Sequence, residues 1–114
     1  MKQEWKVCNV KADHIIDGEP ENARCCAVAL AMEQIIREDS KYNGYEPVIS
    51  NAKDMFLEHD KREEFPLSID VYEEDRKEVD DFIWDFDATH GDLTAPKPLP
   101  ITFKYRIIDK KETK

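Results

Sequence analysis

Glycine and paired cysteine are both scarce in this sequence. Among 114 residues there are only three glycines, and the three cysteines are an odd number with two of them adjacent. Adjacent cysteines seldom bond to each other because the geometry is strained. Cys8, Cys25 and Cys26 therefore make a poor disulfide framework and fit reduced thiols in a reducing compartment. Long apolar runs are also missing. None approaches the roughly 20 residues that cross a bilayer, and Met1 to Trp5 lacks the apolar stretch of a signal peptide. The expected location is cytoplasmic, without membrane association. No repeat, low-complexity tract or long linker divides the chain, so residues 1–114 read as one domain, with 109–114 a polar, disordered tail.

Positive charge is in short supply as well. Lys and Arg number 17 against 26 Asp and Glu, for a net charge of −9. The excess is concentrated: Glu73, Glu74, Asp75, Glu78, Asp80, Asp81, Asp85 and Asp87 face only Arg76 and Lys77 in the same stretch. A surface of this sign repels nucleic-acid phosphates and anionic lipid. Direct nucleic-acid binding is disfavoured, and a basic protein partner is favoured, including one that itself binds nucleic acid.

What the chain does have is a core. Hydrophobic residues make up 40 %, with five Phe, four Tyr and two Trp. A domain of this size hides roughly two thirds of its unfolded surface, so folding requires neither a metal nor a cofactor.

Trp5 to Val10 alternates as a strand does, with Trp5, Val7 and Asn9 on one face and Lys6, Cys8 and Val10 on the other. Gly18 ends the run His14-Ile15-Ile16-Asp17. A first helix is expected from Asn22 or Arg24 to Ile36, because Val28, Ala31, Met32 and Ile35 keep the spacing of a buried stripe. Asn22 is its expected N-cap, and the small residues around Ala27 and Ala29 would let another element approach closely. Asn43-Gly44 signals a turn, after which Tyr45 to Ile49 is a candidate strand. Met55-Phe56-Leu57 fits a strand or a short helix. Leu67, Ile69 and Val71 alternate with polar neighbours and predict a half-buried strand. The second helix follows, with Asp75 and Glu78 as a capping-box variant and Val79, Phe82, Ile83 and Phe86 as its inward stripe; it should stop between Ala88 and Gly91. Pro96, Pro98 and Pro100 force an extended approach to a last strand from Ile101 to Ile108. The fold class is α+β: a small, mostly antiparallel sheet of three to five strands with two main helices packed on one face.

Several of these residues carry a resemblance. His14-Ile15 with Gly18, then Cys25 before Ala27-Val28-Ala29-Leu30-Ala31, is similar to the motif HI-x-x-G … C-P-[VI]-A-x-A-[LI]. Phe82-Ile83-Trp84-Asp85-Phe86-Asp87 with Gly91 is similar to F-I-x-x-F-D-x-G, and Pro100-Ile101-Thr102-Phe103 to a closing P-F-x-F strand. In this the chain resembles a family of short bacterial and phage proteins of unknown function, over about residues 5–105. Cys26 stands where that family has proline, the gap from Asp87 to Gly91 is longer, and residues 40–64 match nothing in the pattern. The resemblance implies a shared fold and a home in phage or mobile-element genomes; it brings no catalytic residues.

Chemistry-bearing candidates are few. Cys25 and Cys26 at a helix start, with His14 close in sequence, fit a reactive thiol and its base, or, with Cys8, a zinc site. The spacing C-x5-H-x10-C-C fits no standard finger, and buried cysteine is commonly just a small core residue. Asp85, Asp87 and Thr89 begin like a calcium loop, but Gly91 comes one position late and Pro96 stands where a bidentate glutamate is needed. The acidic second helix is the most unusual feature. Like charges at i, i+4 oppose helix formation, so carboxylates with only Arg76 and Lys77 among them read either as solvated acids around an apolar stripe or as a face that binds a basic surface. Trp84 lies off the apolar stripe and fits an interface anchor or a cover over a sheet edge. The expected contacts are Asp80, Asp81, Trp84 and Asp85 on a non-enzymatic interaction protein. A small thiol- or metal-dependent enzyme at Cys25, Cys26 and His14 is the alternative, and a subunit that self-associates through a sheet edge is a third reading; the oligomeric state stays open.

Overall fold

The computed structural model describes residues 4–59, 66–89, 94 and 96–109. Five strands form one antiparallel sheet: β1 (Lys6–Val10), β2 (Tyr45–Asn51), β3 (Asp54–His59), β4 (Leu67–Val71) and β5 (Ile101–Asp109), in the order β1-β5-β4-β3-β2. Among the described residues three α-helices accompany them: α1 (Ala12–Asp17), α2 (Ala27–Arg37) and α3 (Arg76–Ala88). The α+β class, the antiparallel sheet and the two main helices on one face are as the alternation and the stripes required. Residues 110–114 of the expected tail lie outside the described residues, as do Gly91 and the rest of the calcium-like segment between Thr89 and Thr94.

Alternation decides which face is inward. Cys8, Val10, Met55, Leu57, Ile69, Val71, Phe103, Tyr105 and Ile107 are all buried on the helix side of the sheet. Strands β1 and β2 are the two edges of the sheet, yet α2 packs against both. The sheet therefore curls around α2, which buries Ala27, Val28, Ala29, Ala31, Met32 and Ile36. Small alanine side chains on the first turns make this close wrapping sterically possible.

Helix α2 starts later than the expected Asn22 or Arg24. Asn22 does not cap it. Its carbonyl accepts the amides of Cys25 (3.2 Å) and Cys26 (2.8 Å), and its Oδ1 accepts the Arg24 amide (3.0 Å). These bonds fold residues 19–26 into a compact loop and leave Cys26 as the N-cap of α2. The loop lies along the β2 edge, where the Ile49 amide donates to the Ala23 carbonyl (2.8 Å). That bond covers part of an edge that would otherwise invite pairing. Arg24 reaches across to Glu46 and Glu58, each at 2.6 Å and cross-strand neighbours of each other.

Gly18 is required by close approach. A Cβ there would lie 2.7 Å from the Ala27 nitrogen and 2.8 Å from the His14 carbonyl oxygen, both backbone atoms that cannot swing away. The end of α1 thus meets the start of α2, with the Phe86 ring 3.0 Å from the same point.

The other face of the sheet carries polar and aromatic side chains. Asp70 accepts from Arg76 (3.2 Å) and from Arg106 (3.0 Å). The Arg106 guanidinium lies 4.4 Å over the Trp5 ring, and Trp5 meets Tyr72 edge-on at 5.1 Å. Asp75 and Glu78 form no capping box. Asp75 adopts helical dihedrals, and its Oδ2 instead accepts the Lys104 amide at 2.8 Å, tying the start of α3 to β5.

Candidate functional site

Helix α3 is helical throughout the acidic stretch after Asp75. Val79, Phe82 and Phe86 are buried and Ile83 is partly so, which turns the remaining side chains outward or to the flanks. The carboxylates do not form a single band. They divide between two flanks because the helical period places Asp80 and Asp87 on one side and Glu78, Asp81 and Asp85 on the other.

The first flank is structural. Asp80 Oδ1 accepts the amide of Ala52 at 2.7 Å, which holds the β2–β3 turn onto α3. Asp87 Oδ1 accepts the amide of Glu21 at 2.8 Å. Glu21 has φ of 60°, a left-handed conformation uncommon for a residue with a side chain. A carboxylate at the right distance from its N–H helps to hold it there.

The second flank faces water. Glu78, Asp81 and Asp85 form one wall of a groove of about 530 Å³, with Phe82 and Ile101 beneath and Pro96, Pro98 and Leu99 opposite. Trp84 is 78 % exposed and Leu99 81 % exposed, so a large apolar side chain stands on each side of the carboxylate row. Lys77 pairs with Asp81 at 2.9 Å, and Lys97 lines the far wall. The described cations of β5 are engaged elsewhere: Lys104 lies 5.0 Å over the Tyr72 ring, and Arg106 binds Asp70. The C-terminal strand therefore supplies no cation to these acids, of which Asp81 is paired within the helix by Lys77.

Of the four expected contact residues, the structure brings Asp81, Trp84 and Asp85 to one surface and sets Asp80 on the other flank. The wall formed by residues 96–100 was missed. Its signal was Leu99 held between Pro98 and Pro100, an apolar residue in a segment that cannot fold back into a helix or a central strand.

The thiols sit differently from one another. Cys8 is fully buried in β1, and burial pushes its thiol up from 9.0 to about 12. Cys26 is buried too, and desolvation raises its thiol against the smaller opposing pull of the Ala29 and Val28 amides. Cys25 is half-buried. His14 has both ring nitrogens occupied. Its Nδ1 accepts the Lys11 amide at 2.9 Å, so the ring proton resides on Nε2, which donates to Gln34 Oε1 at 2.9 Å. A histidine held this way caps α1 and ties it to α2. Among the described residues no group of three or more His, Cys, Asp or Glu is placed to hold a metal ion, and no helix is long and apolar enough to cross a membrane.

Alkylation under native conditions should follow this burial, because the thiolate is the attacking species. Cys25 is expected to react first with iodoacetamide near pH 8, with Cys26 and Cys8 modified only on the timescale of opening. Peptide mapping over time would show the order, and early labelling of Cys26 ahead of Cys25 would contradict it.

Compared with known proteins, the chain matches no family model, no curated protein and no solved structure.

Proposed function

We propose that the protein is a small acidic interaction module that binds a basic protein through the outer flank of α3. Asp81 and Asp85, with Glu78, supply the charge; Trp84 and Leu99 supply apolar anchors on either side. The observation that carries this reading is the pairing of two highly exposed large apolar side chains with a carboxylate row in which only Asp81 is paired, by Lys77, and to which β5 brings no cation. Solvated acids alone are a common surface and need no partner. An indole that exposed, set among carboxylates, buries little in the free protein and gains most by being covered.

The partner is a protein segment rich in Lys and Arg, of the kind found on nucleic-acid-binding proteins, and the setting is cytoplasmic. A phage or mobile-element origin, implied by the resemblance in residues 5–105, belongs to the same proposal. Opposite charges across such a face steer encounter and are screened by salt, with a Debye length of about 8 Å at physiological ionic strength. A synthetic arginine- and lysine-rich helical peptide is therefore expected to bind with an association rate that falls as salt rises. Stopped-flow indole fluorescence would measure it; binding that is absent at low salt, or indifferent to salt, would rule the reading out.

A further inference from the structure

A second site lies at the opposite end of α2 and rests on other observations than the α3 surface. A cavity of about 260 Å³ is walled by Ile35 at the end of α2, by Tyr42 in the short 3-10 turn Ser40–Tyr42 that follows, by Lys6 of β1, and by Tyr105 and Ile107 of β5. Lys6 stands directly opposite Tyr105 in the β1–β5 register. By alternation both belong to the concave side, where the other cross-strand pairs are apolar: Cys8 with Phe103 and Val10 with Ile101. A lysine in that row, facing a tyrosine, breaks the apolar pattern at the cavity's mouth.

The two tyrosines are 8 % and 2 % exposed, so each is more than nine-tenths buried. Neither hydroxyl has a hydrogen-bond partner among the described residues. No side-chain oxygen or nitrogen there is both sealed and unpartnered, so these hydroxyls open into the cavity they line. A buried hydroxyl without a partner is costly unless something occupies the space before it.

The charges around the cavity narrow what that occupant is. Lys6 and Lys41 are the lysines that line it, and Lys41 Nζ lies 5.6 Å from the centroid of the Tyr42 ring, on the cavity wall. Arg106 also borders it, but its guanidinium is held by Asp70 and Trp5. Glu4 and Asp39 lie on the rim, and Asp39 already accepts the Lys41 amide at 3.1 Å. Two hydroxyl donors and two lysines favour an oxyanion; two carboxylates nearby oppose a second negative charge on it. Ile35, Ile107 and the tyrosine rings offer apolar wall for the remainder. We propose that this cavity binds a small organic monocarboxylate. Its carboxylate accepts from the Tyr42 and Tyr105 hydroxyls and pairs with Lys6 and Lys41, and its apolar body lies against Ile35 and Ile107. Burial keeps the Tyr105 phenol protonated to about pH 12, so it remains a donor throughout the physiological range.

Benzoate is a suitable probe, followed by 1H–15N correlation spectra of the full chain, with inorganic phosphate as the contrasting arm. Benzoate is expected to shift the amides of Lys6, Lys41, Tyr42 and Tyr105 to Ile107 saturably, with a dissociation constant of about 1 mM or tighter. Tyr42→Phe keeps the ring and removes one donor, so it should weaken benzoate about tenfold while leaving the rest of the spectrum unchanged. Phosphate, mostly dianionic at neutral pH, should not saturate these shifts. The proposal is overturned if benzoate produces no saturable shift or shifts residues elsewhere. It is also overturned if folded Tyr42→Phe binds as the native protein does, or if phosphate binds equally well, since that would be simple attraction to lysine.

Discussion

Truncating Phe86 to alanine is expected to destabilise the protein by ~3–5 kcal/mol, the range typical of a buried phenylalanine. The side chain is buried and lies parallel to Phe82, with ring centroids 6.2 Å apart. Its tip reaches the place where α1, Gly18 and the start of α2 meet. Gly18 has no side chain to move into the space, and it already sits against the backbone of His14 and Ala27. The cavity left behind adds to the lost burial of the ring. Trp84, two residues earlier, gives the contrast. It is so exposed that Trp84→Ala should shift stability by less than about 0.5 kcal/mol. Urea unfolding of both variants tests this difference, and comparable losses in the two would show that α3 is not seated by its inward stripe.

Alkaline pH should unfold the protein early. Unfolded, the Cys8 thiol releases its proton near pH 9.0 and the Tyr105 phenol near pH 10.0; in the fold, both are held to about pH 12. Burial is the cause for Cys8 and the largest cause for Tyr105, to which the neighbouring charges of Cys8, Tyr42 and Asp39 add. Within that window the folded state binds more protons than the unfolded state, so stability falls as pH rises. Below pH 9 the contribution of both groups is fully present. One group gives a slope of about 1.4 kcal/mol per pH unit, so between pH 9 and 10 the loss has that slope and above pH 10 about twice it. By pH 11 roughly 4 kcal/mol would be gone, a large part of the stability of a domain this size. Denaturant midpoints measured from pH 8 to 11 would show the fall. Cys8→Ala should remove its earlier part at the expense of some packing, and a flat profile in the native protein would contradict the buried placement of both groups.

The fold was legible wherever the signal was local and periodic. Leu67, Ile69 and Val71 announced β4, the alternation from Ile101 announced β5, and Val79, Phe82 and Phe86 announced α3 together with its inward face. The hairpin of β2 and β3 was harder, because Met55-Phe56-Leu57 is an unbroken apolar run with no period to separate strand from helix. The start of α2 was placed too early, and that of α3 was placed correctly after Asp75 but with the wrong cap bonds, for a common reason. Asn22 and Asp75 both have capping chemistry, but each finds a different partner, Asn22 within its own loop and Asp75 on the amide of Lys104. Such choices depend on where a distant strand comes to rest. The pairing of β1 with β5, nearly a whole chain apart, has no local signature either. That pairing explains why one wall of the second cavity, Lys6 opposite Tyr105, was invisible in the sequence.

The same distinction applies to the acidic surface. Its existence could be read from composition, and Trp84 could be read as lying off the stripe. The division of its carboxylates follows from the helical period, but the structural role of Asp80 could not be read, since it depends on the β2–β3 turn placing the Ala52 amide beside it. The binding proposal consequently rests on Asp81, Asp85 and Trp84, with Leu99 added from the extended segment.

The most direct measurement compares the affinity of the basic helical peptide for two single charge reversals that change net charge equally. Asp85→Lys alters the proposed surface, whereas Glu38→Lys alters an exposed position at the C-terminal end of α2. The account predicts about a tenfold loss for Asp85→Lys and little change for Glu38→Lys. Equal losses in the two would mean that the peptide responds to bulk charge, and that no binding face exists on α3.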